Sequence, residues 1–194
     1  MESLVVPVLF LALASVSLPK LIHLEFSEIL PKQTPLPFLR VLIFLSFIFG
    51  TAFQKNLSSP VTVILVYANF LLAYTDTHYT LLSPSILYGQ FLLMWTITLI
   101  SPADHSFFWW ASICFYLSFR FLTHIVPDGF GEGDIKLLCV WSCFIDFISM
   151  WQIIFLATIL ALIYVLLLNL LKKEVTRLPF VPFLYVGLVW VLML

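Results

Sequence analysis

From Leu137 to Leu171 the chain contains a single charged side chain, Asp146. As one unbroken helix that stretch would reach roughly 50 Å, well past a hydrocarbon core of about 30 Å. Asp146, Ser149 and Gln152 are its main polar interruption, so the run is predicted to divide near Ser149 into two helices, about 134–149 and 151–171. A chain built from such runs has few ways to fold. Its backbone polar groups must be satisfied internally wherever lipid surrounds it, which selects helices.

The same pattern recurs along the sequence. Six further apolar segments fall at about 3–19, 37–54, 59–75, 84–101, 106–126 and 178–194. Apolar residues make up 62% and charged residues 10% of the chain, against roughly 25% charged in an ordinary soluble domain. So few charges cannot clothe a water-facing surface. The expected fold is all-α, a polytopic membrane bundle of about eight helices forming one domain over residues 1–194. Met-Glu-Ser lacks a basic start, so the first segment reads as a span and not as a cleaved signal.

Charge sets the orientation. With the N-terminus outside, the inner segments hold Lys20, Lys32, Arg40, Arg120, Lys136, Lys172, Lys173 and Arg177, and the outer ones hold only Lys55. That imbalance satisfies the positive-inside rule, and merging the sixth and seventh segments would weaken it. Lys172, Lys173 and Arg177 are expected to anchor the inner boundary against anionic membrane lipid, while Phe107, Phe108, Trp109 and Trp110 suit an outer aromatic belt. No basic run points to nucleic acid. Cys114, Cys139 and Cys143 lie in apolar stretches and read as small hydrophobes, with no CxxC pair to suggest zinc.

Ionisable groups near membrane depth are costly, so the inner-side acids are the functional candidates. Asp76 closes the third segment in Tyr74-Thr75-Asp76-Thr77-His78, and Asp134 opens the sixth. Both fall at the inner boundary and can face each other if those helices are neighbours. Two carboxyls within hydrogen-bond reach share a proton, since both cannot ionise cheaply. One can then take a proton from water while the other protonates a scissile carbonyl. Asp76 at a helix C-terminus is expected to hold the shared proton more often than Asp134 at a helix N-terminus. Gly129, Gly131 and Gly133 leave the backbone near Asp134 open to positive φ and to an approaching substrate strand, or else belong to a plain loop that Asp134 caps. Lys136 is placed to balance the charge of Asp134. Asp128 and Glu132 stand as alternative acids. Arg120 either snorkels or pairs with one of them, and His78 and His124 lie near the two acid sites.

Gly131-Glu132-Gly133-Asp134-Ile135-Lys136-Leu137-Leu138 resembles the GxGDxKL run of the prepilin leader peptidases, the bacterial GxGD-type aspartic proteases. Around the first acid that family carries an aliphatic residue and then proline about six residues on. Here Leu82 holds the first position, Ser83 stands where proline is expected, and Pro84 follows one later. Leu178-Pro179-Phe180-Val181-Pro182-Phe183-Leu184 is similar to the family's closing proline–phenylalanine segment.

The resemblance covers roughly residues 60–190. It implies Asp76 and Asp134 as the catalytic pair, with Gly131, Gly133 and Lys136 as motif residues at the substrate approach. It implies no cofactor and no metal. The expected substrates are type IV pilin-like precursors, cut at the end of a short basic leader on the cytoplasmic face of a bacterial plasma membrane. The first inner loop, about 20–36, is short and lacks the paired cysteines of larger members, so N-methylation is not expected, and the chain is similar to small members that serve competence or secretion pili. Two other classes stay open beside the peptidase: a non-catalytic scaffold or degenerate relative, and a transporter. The transporter fares poorly, because Asn69, Gln90 and Asn169 are the main polar residues inside the spans.

Overall fold

A computed structural model describes residues 60–100, 107–126, 130–172 and 178–193. The expected spans at 3–19 and 37–54, the first inner loop, Asp128, Gly129, Lys173 and Arg177 lie outside the described residues, as does the side chain of His78.

The described residues form six helices and no strand: α1 (Pro60–Tyr79), α2 (Pro84–Ile100), α3 (Trp109–Ile125), α4 (Glu132–Ser142), α5 (Phe147–Leu170) and α6 (Val181–Met193). The all-α expectation therefore holds over this region. By length and composition one helix, α5, is able to cross a membrane, with 24 residues and a span of about 36 Å. The apolar helices α2 and α6 and the apolar part of α1 are shorter.

The long apolar run divides earlier than the sequence suggests. Helix α4 has 11 residues and ends at Ser142, and a turn over Cys143–Ile145 leads into α5. The reason is a cap. Asp146 has extended backbone and accepts the Ser149 N–H on its Oδ2 at 3.0 Å, which starts α5 at Phe147 and leaves Ser149 inside the helix. Phe144 fills the turn, between the rings of Phe91 from α2 and Phe107 before α3.

Helix α6 packs between α1 and α5, α2 lies along α1, and α3 lies along α4. Tyr185 of α6 meets Phe70 edge-on, and Phe183 meets Tyr164 of α5. Gly187 is the contact point with α5, where an added Cβ would lie 2.8 Å from the Ile153 carbonyl oxygen. The outward faces are as apolar as the core: Leu92, Leu99, Phe121, Phe155 and Leu170 are all exposed.

A polar contact crosses this core. Asn69 of α1 and Trp141 of α4 are both fully buried, and the Trp141 Nε1–H donates to Asn69 Oδ1 at 3.1 Å. Asn69 donates its own amide to the Leu65 carbonyl at 2.7 Å. Asp76 lies about two turns along α1 from Asn69, and Asp134 about two turns back along α4 from Trp141. The two helices run in opposite directions, so the same register that joins Asn69 to Trp141 brings the acids to one level.

Two stability outcomes follow. Asn69→Leu strands the indole N–H in an apolar core and should cost about 1–2 kcal/mol, read as a lowered Tm in detergent. Adding Trp141→Phe to the Asn69→Leu variant should restore part of that Tm. Gly187→Ala should cost about 1–3 kcal/mol by forcing α6 off α5. An unchanged Tm for Gly187→Ala would show that the two backbones do not approach as described.

Candidate active site

Asp76 sits in the last turn of α1 and is only 7% exposed. Its neighbours Thr75 and Thr77 are buried too, but each bonds its own helix, Thr75 to the Leu72 carbonyl at 2.9 Å and Thr77 to the Ala73 carbonyl at 2.8 Å. Of these three residues, Asp76 is the one whose side chain reaches across to another element. Its Oδ2 accepts the backbone N–H of Val181 at 3.1 Å. The helix stops just beyond, where Thr80 adopts φ 52 and donates its N–H to the Asp76 carbonyl at 2.8 Å. A left-handed residue commonly ends a helix this way, though it is usually glycine, so Thr80 carries strain.

Asp134 lies in the first turn of α4, and Gly131 is the N-cap. The helix begins two residues before the position expected from sequence, so Asp134 is not the cap residue. It reaches back to the Gly131 backbone N–H, the half of a capping box that a third-position acid supplies. Asp76 feels the charge of Asp134. The structure thus sets the two acids within electrostatic reach of one another.

The other residues singled out in the sequence divide. Gly131 and Gly133 flank the pair, but not with the backbone freedom expected of them, since no described glycine has positive φ. Their value is space. A Cβ on Gly131 would lie 3.1 Å from Asp134 Oδ2, and one on Gly133 would lie 2.9 Å from Leu82 Cδ1 and 3.0 Å from Leu82 Cβ. Lys136 is exposed, and among the described residues it makes no ion pair with Asp134. Positions two apart on a helix point to different faces. Glu132 pairs instead with Arg120 at 3.5 Å, with side chains 73% and 58% exposed, a contact worth little in energy. His124 is exposed on α3 beside Arg120.

Ser83 has a structural role where proline was expected. Its hydroxyl accepts the Ile86 N–H at 3.3 Å and its carbonyl accepts the Leu87 N–H at 3.2 Å. It is the N-cap of α2, with Pro84 at the first helical position, an arrangement both residues favour. The loop therefore keeps Leu82 pressed over Gly133.

Sequence reasoning missed Val181 as a partner of Asp76. A backbone donor leaves no mark on residue identity, and only the prolines on either side, Pro179 and Pro182, hinted that this segment is stiff.

Over the described residues, the fold is all-helical and sets two acids from separate helices near one another at helix ends of an apolar bundle. The sequence model of the type IV leader peptidase family matches residues 63–166, more than half of the chain and both acids, and the chain belongs to that family. It is thereby a type IV leader peptidase-like protease, a hydrolase of a membrane-associated family whose members act on prepilin-type substrates. No curated protein and no solved structure matches the chain.

Gly133→Ala should slow cleavage by displacing Leu82 from its seat over Gly133. Leu82→Ala in the same chain should recover part of the loss, and a double variant as slow as the product of the two single losses would show that Leu82 is not the obstacle.

Proposed function

We propose that this chain is an aspartic endopeptidase in which Asp76 and Asp134 form the catalytic pair. The observation that carries the reading is the meeting of two carboxyl groups from α1 and α4 within electrostatic reach, inside the segment that the family match covers. Two acids so placed hold one proton between them, because ionising both would set like charges side by side. The ionised member draws a proton from water, and the protonated member gives its own to the carbonyl oxygen of the scissile bond. No covalent intermediate is needed.

Burial assigns the parts. Asp76 is nearly enclosed and Asp134 is half-buried, and burial opposes charge. Asp76 is then the proton donor and Asp134 the base. The dipole reason drawn from the sequence is no longer sufficient, since Asp76 also faces the N-terminus of α6.

The substrate is a type IV pilin-like precursor, cut at the end of its leader at the cytoplasmic face of a bacterial plasma membrane. The positive-inside count supports that side for both acids. The exposed apolar faces of α2, α3 and α5 support a multi-pass setting in lipid, since in water they would form patches far larger than a soluble monomer carries. The reaction as drawn needs no cofactor and no nucleic acid.

Co-expression with a pilin-like precursor tests this. Wild-type chain should convert the precursor to the shorter form, and Asp76→Asn and Asp134→Asn should each reduce conversion by at least about 10³-fold while still inserting in the membrane, a loss of roughly 4 kcal/mol of barrier lowering. Processing that survives both substitutions would sink the proposal.

A further inference from the structure

The acids come from α1 and α4, yet a third element touches both of the segments that carry them. Val181 begins α6, and its N–H donates to Asp76 Oδ2 at 3.1 Å. One residue earlier, the ring of Phe180 meets the ring of Phe130 edge-on, with centroids 6.2 Å apart. Phe130 immediately precedes Gly131, the cap of the helix that bears Asp134. Phe130 is held on its other side by Phe119 of α3, at 5.2 Å.

This step of chain is itself well anchored. The Phe180 carbonyl accepts the N–H groups of Phe183 at 3.1 Å and Leu184 at 3.2 Å, which makes Phe180 the backbone cap of α6. Pro179 and Pro182 bracket the step and restrict its φ angles. Val181, Phe183 and Leu184 are buried in the core. A first-position N–H has no partner within its own helix, so at Val181 it is available to Asp76 without loss to α6.

We propose that the Phe180–Val181 step is a positioning clip that sets the two acids relative to one another. Its N–H commits Oδ2 of Asp76, which leaves Oδ1 to share the proton with Asp134. Its ring fixes the approach of the Phe130–Gly131 loop. Neither residue touches the scissile bond, and both act through the acids. The inference rests on Asp76 and Asp134 being the catalytic pair.

Proline is tolerated at the first position of a helix, so Val181→Pro removes the donor together with the buried valine side chain. Val181→Ala keeps the donor and reports the cost of losing the side chain alone. In cleavage of a pilin-like precursor by detergent-solubilised protein, Val181→Pro should have a kcat about 10- to 100-fold below that of Val181→Ala, with KM matched between them. Phe130→Ala and Phe180→Ala should be non-additive in kcat, the double variant being no slower than the worse single one. Equal kcat for the two Val181 variants, or additive losses at the two rings, would overturn the clip.

Asp76→Asn and Asp134→Asn run beside them. Active acid variants would remove the catalytic reading itself. Inactive acid variants with equal Val181 variants would leave that reading intact and remove only the clip. A further measurement needs neither the proline variant nor activity. In protein labelled with [15N]valine, the amide resonance that disappears in Val181→Ala should shift in Asp76→Ala, and a resonance that does not move contradicts the hydrogen bond.

Discussion

The contact between Trp141 and Asn69 is the interaction on which the site depends. In a core made mostly of aliphatic and aromatic side chains, packing alone tolerates sliding one helix past another, because one apolar residue replaces another at small cost. A buried indole N–H does not slide. It donates to Asn69 Oδ1, and losing that acceptor leaves a polar group stranded. A single hydrogen bond therefore sets the level of α1 against α4, and the rims of both helices follow. Asp76 and Asp134 stand at that rim, on the faces that Asn69 and Trp141 occupy about two turns deeper.

Beyond this register, further polar contacts lie at the helix ends, and each uses backbone atoms that a helix end leaves free. Gly131 offers its N–H to Asp134, Val181 offers its N–H to Asp76, and Asp146 takes the Ser149 N–H where α5 begins. Helix ends are the places where a bundle in lipid can hold ionisable groups without stranding them, since unpaired N–H groups and the positive ends of helix dipoles are already there. Two acids within electrostatic reach of one another gain from this. Each is fixed by a donor of its own, so neither needs a cation beside it, and Lys136 is left on the outer face.

The glycines and Leu82 are bound by the same shortage of space. Side chains at 131 and 133 would fall on Asp134 and on Leu82. The loop from Thr80 to Ser83 is drawn tight by a left-handed residue at one end and a helix cap at the other. A short loop held at both ends in this way keeps Leu82 over Gly133 of the motif.

Much of this was legible in the residues. The apolar runs announced helices, the GEGDIK stretch and the acid at 76 announced the family, and α2, α3 and α6 begin and end within a few residues of their expected limits. The break before α5 was misplaced because Ser149 and Asp146 are both polar, and only backbone geometry reveals which of them caps. The sequence alone determined that the described segments are helical and largely apolar, with an acid near one end of each of α1 and α4, because apolar runs and charge are properties of residue identity. Tertiary structure alone decided that α1 and α4 meet in a register that joins the acids, that Leu82 fills the space over Gly133, and that Val181 lends its N–H to Asp76. Those contacts depend on backbone positions brought together from distant parts of the chain, and a backbone donor is the same atom in every residue but proline.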